Sequence, residues 1–107
     1  MKIITLSIVA ALTMGAGSVA AADRLSDAEY LVLGRCAGLA AGLDHDADTW
    51  RAAFRAGGQS RSTMAADQAR RHHDEARRLA RRADDARRAE LVEELQGRCA
   101  AFVRTPS

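Results

Sequence analysis

Lysine is almost missing from this sequence of 107 residues, and proline, cysteine and aromatic residues are scarce. Lys2 is the single lysine, so that 15 of the 16 basic residues are arginine, and there is one proline. The formal net charge is only +2, which argues against a dedicated nucleic-acid-binding protein. No stretch alternates apolar with polar residues as a half-buried strand does, so the pattern favours a helical protein.

No apolar run reaches the roughly 20 residues that a membrane-spanning helix needs. Residues 1–22 instead combine a positive charge at Lys2, a short apolar run and a series of small residues that ends at Ala22. This order is typical of a cleaved signal peptide. We therefore expect cleavage after Ala22, a bacterial protein of the periplasm or the medium, and a single helical domain over residues 23–107.

The two cysteines, Cys36 and Cys99, are expected to form a disulfide bond. An exported chain folds in an oxidising compartment, and the C-x-x-C spacing of redox and metal sites is absent. At 100° per residue each cysteine lies at the centre of an apolar helical arc. The sequence thus predicts a buried bridge between the first and the last helix, worth about 4 kcal/mol in the chain-entropy description of disulfides.

Capping residues and glycines divide the chain into four predicted helices. Ser26 and Glu29 have the spacing of a capping box that begins the first helix, and Gly42 is placed to end it in the left-handed conformation. A single helix over residues 62–103 would be about 60 Å long, too long for so small a domain, and Asp84 and Asp85 favour a break there. The expected fold is an all-α bundle of four short helices, stapled by one disulfide. The predicted helices are 27–41, 47–56, 62–83 and 85–103.

Gly34 and Gly38 lie on the side of the first helix opposite Cys36. Glycine inside a helix costs about 1 kcal/mol relative to alanine, so both positions require a reason. We interpret them as a helix-packing groove, and the alanine-rich stripe of the third helix is the preferred occupant. Two other occupants remain open: the aromatic pair Trp50 and Phe54, and a second copy of the chain in a homodimer.

His72 and Glu75 are the candidate metal ligands, because residues three apart on a helix can hold one ion. Gln68 lies one turn before His72, and His45 is a further donor elsewhere in the chain. The H-E-x-x-H pattern of zinc enzymes is absent. The preferred interpretation is that His72 is a half-buried, hydrogen-bonded residue of the alanine stripe, and metal binding is the alternative. We expect no cofactor.

Arginine doublets dominate the third predicted helix. Aspartates precede several of them by three or four residues, which predicts a solvated helix face stabilised by ion pairs such as Asp67–Arg70, Asp74–Arg77 and Asp84–Arg88. The functional alternative is a mildly basic face that docks an acidic protein or an anionic envelope surface. The arginines of this face are Arg70, Arg71, Arg77, Arg78, Arg81 and Arg82.

Catalysis is not expected. Neighbouring carboxylates such as Asp84–Asp85 and Glu93–Glu94 point about 100° apart on a helix and do not converge on one substrate. Neither a nucleophile motif nor a phosphate-binding loop is present. The sequence predicts a small, non-enzymatic exported protein that binds a protein partner or serves an envelope role. The alternatives are a periplasmic metal-binding or metal-stress protein that uses His72 and Glu75, and a small chaperone-like protein.

Overall fold

The computed structural model describes residues 25–102, so the predicted signal peptide at residues 1–22 lies outside the described residues. Within that range the regular secondary structure is all helical and the chain contains one disulfide bond, as the sequence predicted. The elements are α1 (Asp27–Leu43), α2 (Ala47–Gly57), α3 (Thr63–Arg82), α4 (Asp85–Gln96) and a 3₁₀ turn (Arg98–Phe102).

Three of the four α-helices begin at a side-chain cap. The Ser26 hydroxyl and its capping-box partner start α1, the Ser62 hydroxyl accepts the backbone N–H of Ala65, and the Asp84 carboxylate accepts the backbone N–H of Arg87. Each bond satisfies a backbone donor that the first turn of a helix leaves without an intrahelical acceptor. The break between α3 and α4 is therefore confirmed at the predicted aspartate.

The prediction that Gly42 ends the first helix is wrong. α1 continues to Leu43, and Asp44 takes the left-handed conformation at the C-terminal cap, with φ 55°. Asp46 has φ 58° in the same turn. Aspartate tolerates this region better than most non-glycine residues. Gly42 is used for helix packing instead, as described below.

The last helix is also shorter than predicted. α4 ends at Gln96 rather than near residue 103, because Gly97 leaves the helical region, with φ −103° and ψ −87°. The chain then continues as the 3₁₀ turn, which carries Cys99 into the core.

α1 is the central element, and all the other elements pack against it. Its apolar residues are distributed around the helix rather than along one stripe, as expected for a helix that is covered on several sides. α3 covers one side of α1, α2 covers a second, and α4 with the 3₁₀ turn covers a third. The fully or nearly fully buried large side chains of the core are Tyr30, Leu33, Leu39, Leu43, Trp50, Leu91 and Leu95.

The disulfide joins Cys36, in the middle of α1, to Cys99 in the 3₁₀ turn. Both residues are 0% exposed, and their Cα atoms are 5.8 Å apart. Leu91 and Leu95 are the buried residues of α4. The predicted pairing is confirmed, and the bridge fixes the C-terminal elements to the central helix.

α3 lies directly against the glycines of α1. A Cβ atom added to Gly38 would overlap the backbone carbonyl of His73, and one added to Gly34 would lie 2.8 Å from the carbonyl oxygen of Ala69. A Cβ at Gly42 would meet the carbonyl of Arg77. The groove is thus occupied by a helix of the same chain, and a homodimer through it would have to displace α3.

Removal of the disulfide tests how much of the stability depends on the bridge. Because the bridge spans a sequence separation of 63 residues, we expect C36A/C99A to lower the free energy of unfolding by about 4 kcal/mol. Guanidinium unfolding of the oxidised protein, the reduced protein and the double variant measures this change. An unfolding midpoint that does not respond to reductant would contradict the prediction.

Gly38→Ala tests the contact between α1 and α3 through the sign of its effect. Helix propensity alone would make alanine more stable by about 1 kcal/mol. The clash with the backbone of α3 reverses that sign, and we expect a loss of roughly 1–3 kcal/mol in denaturant unfolding. The reverse exchange Ala52→Gly, at an exposed position of α2, measures helix propensity without a clash. A Gly38→Ala variant more stable than wild type would show that the helices are not in contact there.

Candidate functional site

The packing of α3 against α1 decides which of its residues face solvent. The alanines that face α1 leave no room for long side chains, and Ala65, Ala69, Ala76 and Ala80 are buried. The six doublet arginines of the helix are all exposed. The glycines of α1 therefore determine the orientation of the basic side chains of α3.

Most of the ion pairs that the sequence predicted for α3 do not form. Nη1 of Arg70 lies 3.5 Å from Oδ1 of Asp67, at the edge of hydrogen-bond range. Asp74 instead accepts from Nδ1 of His73, its neighbour in sequence, at 3.1 Å.

The predicted pairing at the start of α4 is replaced by other contacts. Asp84 caps the helix through the backbone of Arg87. The guanidinium group of Arg87 pairs with Glu90 at 2.9 Å, and Arg88 donates to the carbonyl of Leu43 at 2.9 Å. The predicted solvated face is therefore confirmed, and of the three predicted ion pairs only Asp67–Arg70 forms.

Five arginines of α3 consequently have no acidic partner within residues 25–102. We call them the arginine face. Their guanidinium groups also form no hydrogen bond with any described residue. The members of the arginine face are Arg71, Arg77, Arg78, Arg81 and Arg82.

The two candidate metal ligands lie together, but they lack a third. His72 and Glu75 line a recess of about 310 Å³ with Gln68, Arg71 and Leu31. Over residues 25–102, no three side chains from histidine, cysteine, aspartate and glutamate converge on one point. The guanidinium group of Arg71 beside the recess also disfavours a cation.

His73, rather than His72, is the half-buried histidine of α3. His72 is exposed, whereas the ring of His73 stacks on Phe54 with a centroid distance of 5.5 Å and an angle of 5°. The sequence interpretation placed His72 on the alanine stripe and was wrong by one residue, which is about 100° of rotation. The close contact at Gly38 brings the backbone of His73 against α1 and so settles the rotation.

The aromatic stack extends from His73 to Arg61, whose contacts the sequence did not reveal. Phe54 stacks on Tyr30 at 5.2 Å, and Cζ of Arg61 lies 4.9 Å from the centre of the Tyr30 ring. The side chain of Arg61 is 10% exposed and donates to Asp27 at 3.0 Å. Burial raises the pKa of the Tyr30 phenol. These contacts hold α2 and the start of α3 against α1.

Arg35 and Glu94 form a bidentate ion pair between α1 and α4, which the sequence also did not reveal. Nε of Arg35 donates to one carboxylate oxygen at 2.7 Å and Nη2 donates to the other at 3.0 Å. These hydrogen bonds lower the pKa of Glu94 below its ordinary value of 4.5. Both side chains are partly buried, so the pair is shielded from water more than a surface ion pair is.

Comparison of the chain with protein-family models, with curated proteins and with solved structures finds no match. Within residues 25–102, no helix combines the length and the apolar character needed to cross a bilayer.

The Glu94 carboxylate is expected to make stability dependent on pH. Its pKa is lower in the folded state than in the unfolded state, so its contribution is present above about pH 4.5 and is lost as the pH falls through the folded-state value. We expect Glu94→Gln to lose about 1–2 kcal/mol at pH 7 and progressively less in acid. Denaturant unfolding at pH 7 and at pH 3 measures both values.

Glu93→Gln is the matched control, because Glu93 is the exposed neighbour on the same helix. It should change stability at pH 7 by less than about 0.5 kcal/mol. A Glu94→Gln deficit that is the same at both pH values would contradict the account of the ion pair.

Proposed function

We propose that the protein is an exported, non-enzymatic binding protein that docks an acidic segment of a protein partner on the arginine face of α3. The observation that carries this proposal is the lack of acidic partners for the five guanidinium groups within residues 25–102. Five arginines on one helix repel one another, and acidic groups of a partner would offset that repulsion. Guanidinium groups also fit carboxylates in a bidentate geometry.

The charge pattern favours a protein over a lipid surface as the partner. Asp67 and Asp74 lie on the outward ridge of α3, between the arginines on its two sides, at 100° per residue. A uniformly anionic bilayer would meet these two carboxylates as well as the arginines. A folded or extended protein segment can place acidic groups only where the arginines are, which is how charge complementarity gives specificity.

The apolar surface argues in the same direction. Among the described residues, Met64 is the only large hydrophobic residue that is exposed, at 73%. A helix that inserts into the surface of a bilayer needs a wide apolar face. A chaperone-like protein that binds unfolded clients would also need one. Neither role has support in this surface.

Export is supported by the buried disulfide, which is typical of proteins from oxidising compartments. It is also supported by the composition of residues 1–22, which resembles a signal peptide.

The non-enzymatic character is supported by the structural tasks of the paired carboxylates. Asp84 caps α4, and Glu94 pairs with Arg35. Metal binding at His72 and Glu75 is the rival function. It has less support, because these two ligands have no third ligand among the described residues and the guanidinium group of Arg71 lies beside them.

Charge removal on the arginine face tests the proposal. The probe is a fluorescently labelled peptide of ten glutamates, whose affinity is measured by anisotropy in low salt. If each guanidinium group contributes about 0.5 kcal/mol, R71Q/R78Q/R82Q should bind the peptide roughly tenfold more weakly than wild type. The affinity should fall as salt is added.

The control is R55Q/R87Q/R98Q, which removes the same charge from exposed positions on α2, α4 and the 3₁₀ turn. It should retain peptide affinity within about twofold if position matters more than net charge. Equal losses in both variants would contradict the proposal. Binding to vesicles with 30% phosphatidylglycerol, without binding to the peptide, would assign the face to lipid instead.

A further inference from the structure

A second basic feature lies on the side of α3 that faces α2. A recess of about 380 Å³ opens where the α1–α2 turn meets α3, and we call it the α2–α3 recess. Its volume is at the lower end of the range for small-molecule sites. Its polar lining consists of Arg51 of α2, His73, Arg77 and Arg81 of α3, and Asp44 of the turn.

The basic groups of the recess come from two helices. Arg77 and Arg81 are four residues apart and therefore lie on one side of α3. Within the described part of the chain neither of them has an acidic partner, and Arg51 pairs only with the exposed Asp48, at 2.8 Å. Three arginines thus line one opening, and within the described residues only Arg51 has an acidic partner.

The first turn of α2 also borders the recess. Ala47, its first residue, lines the recess. The N-cap Asp46 is left-handed and makes no side-chain hydrogen bond to the helix backbone. The backbone donors of this turn are therefore not used by a side-chain cap. The carboxylate of Asp48 in the same turn offsets part of the positive end of the helix dipole.

Besides Asp48, which pairs with Arg51, two carboxylates lie near these basic groups, and one of them is already engaged. Asp74 accepts from Nδ1 of His73, so the half-buried imidazole is oriented by its own neighbour. Among residues 25–102, Asp44 is the only acidic residue that lines the recess, and it holds the left-handed cap of α1. The three arginines outnumber it.

From this arrangement we infer that the α2–α3 recess binds a phosphate group, either as inorganic phosphate or as the terminal group of a phosphate monoester. Arginine forks match the oxygens of phosphate in a bidentate manner. Several cationic groups around one small volume favour a dianion over a monoanion such as acetate, because the attraction grows with the charge of the ligand. Arg77 and Arg81 belong both to the arginine face and to the recess. The peptide experiment changes Arg71, Arg78 and Arg82, whereas the phosphate experiment changes Arg77 and Arg81, so failure of one proposal is distinguishable from failure of the other.

The test is isothermal titration calorimetry of the oxidised protein with sodium phosphate at constant ionic strength. We expect wild type to bind phosphate at submillimolar concentration and acetate at least tenfold more weakly. R77Q/R81Q should lose at least tenfold in phosphate affinity, and Arg51→Gln on the other helix should lose affinity as well. Circular dichroism melting checks that these variants remain folded.

The matched control is R71Q/R82Q, which removes the same charge from the opposite side of α3. It should keep phosphate affinity within about twofold. Equal losses of phosphate affinity in the two double variants would show that net charge alone determines binding, and would contradict a site in the recess. Absence of phosphate binding by wild type at millimolar concentration, or acetate binding as tight as phosphate binding, would overturn it too.

Asp44→Asn is expected to increase the affinity for phosphate. Misfolding would lower this affinity, so an increase cannot result from misfolding. Asparagine tolerates the left-handed conformation of this residue, and the exchange removes the only carboxylate that lines the recess. Phosphate should bind about three- to tenfold more tightly to this variant. Unchanged or weaker binding would contradict a site at this position. Glycerol 3-phosphate, titrated beside inorganic phosphate, distinguishes a monoester site from a site for the free ion.

Discussion

The contact between the glycines of α1 and the backbone of α3 determines the orientation of every functional candidate on α3. An added side-chain atom at Gly38 would overlap the main chain of α3, so no other residue permits this approach without a shift. The contact fixes the rotation of α3 about its own axis. As a result its alanines are buried, His73 lies against Phe54, and the arginines point outward. Even a change of one residue in this rotation would exchange buried and exposed positions.

The glycines fix the position of α3 against α1. The disulfide and the Arg35–Glu94 ion pair fix the position of α4 and the 3₁₀ turn against α1 in the same way. Each links the C-terminal part of the described chain to α1 by a specific contact rather than by a large apolar area. This division suits a small domain, since a short chain buries only a limited core and depends more on covalent and polar links. α1 is thus the common support, and its small residues matter as much as its large ones.

The sequence was sufficient for features that depend on local chemistry. The capping box at Ser26, the cap at Asp84 and the pairing of Cys36 with Cys99 follow from residue types and helical periodicity. The end of α1 was missed because an aspartate, Asp44, adopts a conformation that glycine usually supplies. Gly42 is needed where α1 packs against α3, so the left-handed cap falls two residues later, at Asp44.

Features that depend on the rotation of a helix or on which helices pack together could not be predicted from the sequence. A periodicity argument placed His72 on the alanine stripe, whereas packing selected His73. The spacing of Asp74 before Arg77 predicted an ion pair between them. The Asp74 carboxylate instead accepts a hydrogen bond from Nδ1 of His73, its neighbour in sequence. The α2–α3 recess brings Arg51 of one helix to Arg77 of another, and no sequence spacing encodes that meeting.

Nuclear Overhauser effects in the isotopically labelled protein measure the α1–α3 contact most directly. The account predicts cross-peaks from the α-protons of Gly38 to the methyl group of Ala76, and from those of Gly42 to the methyl group of Ala80, because added Cβ atoms would contact these methyl groups. Cross-peaks from these glycines to α1 and water alone would contradict it. In that case the orientation assigned to the arginines of α3 would have no basis.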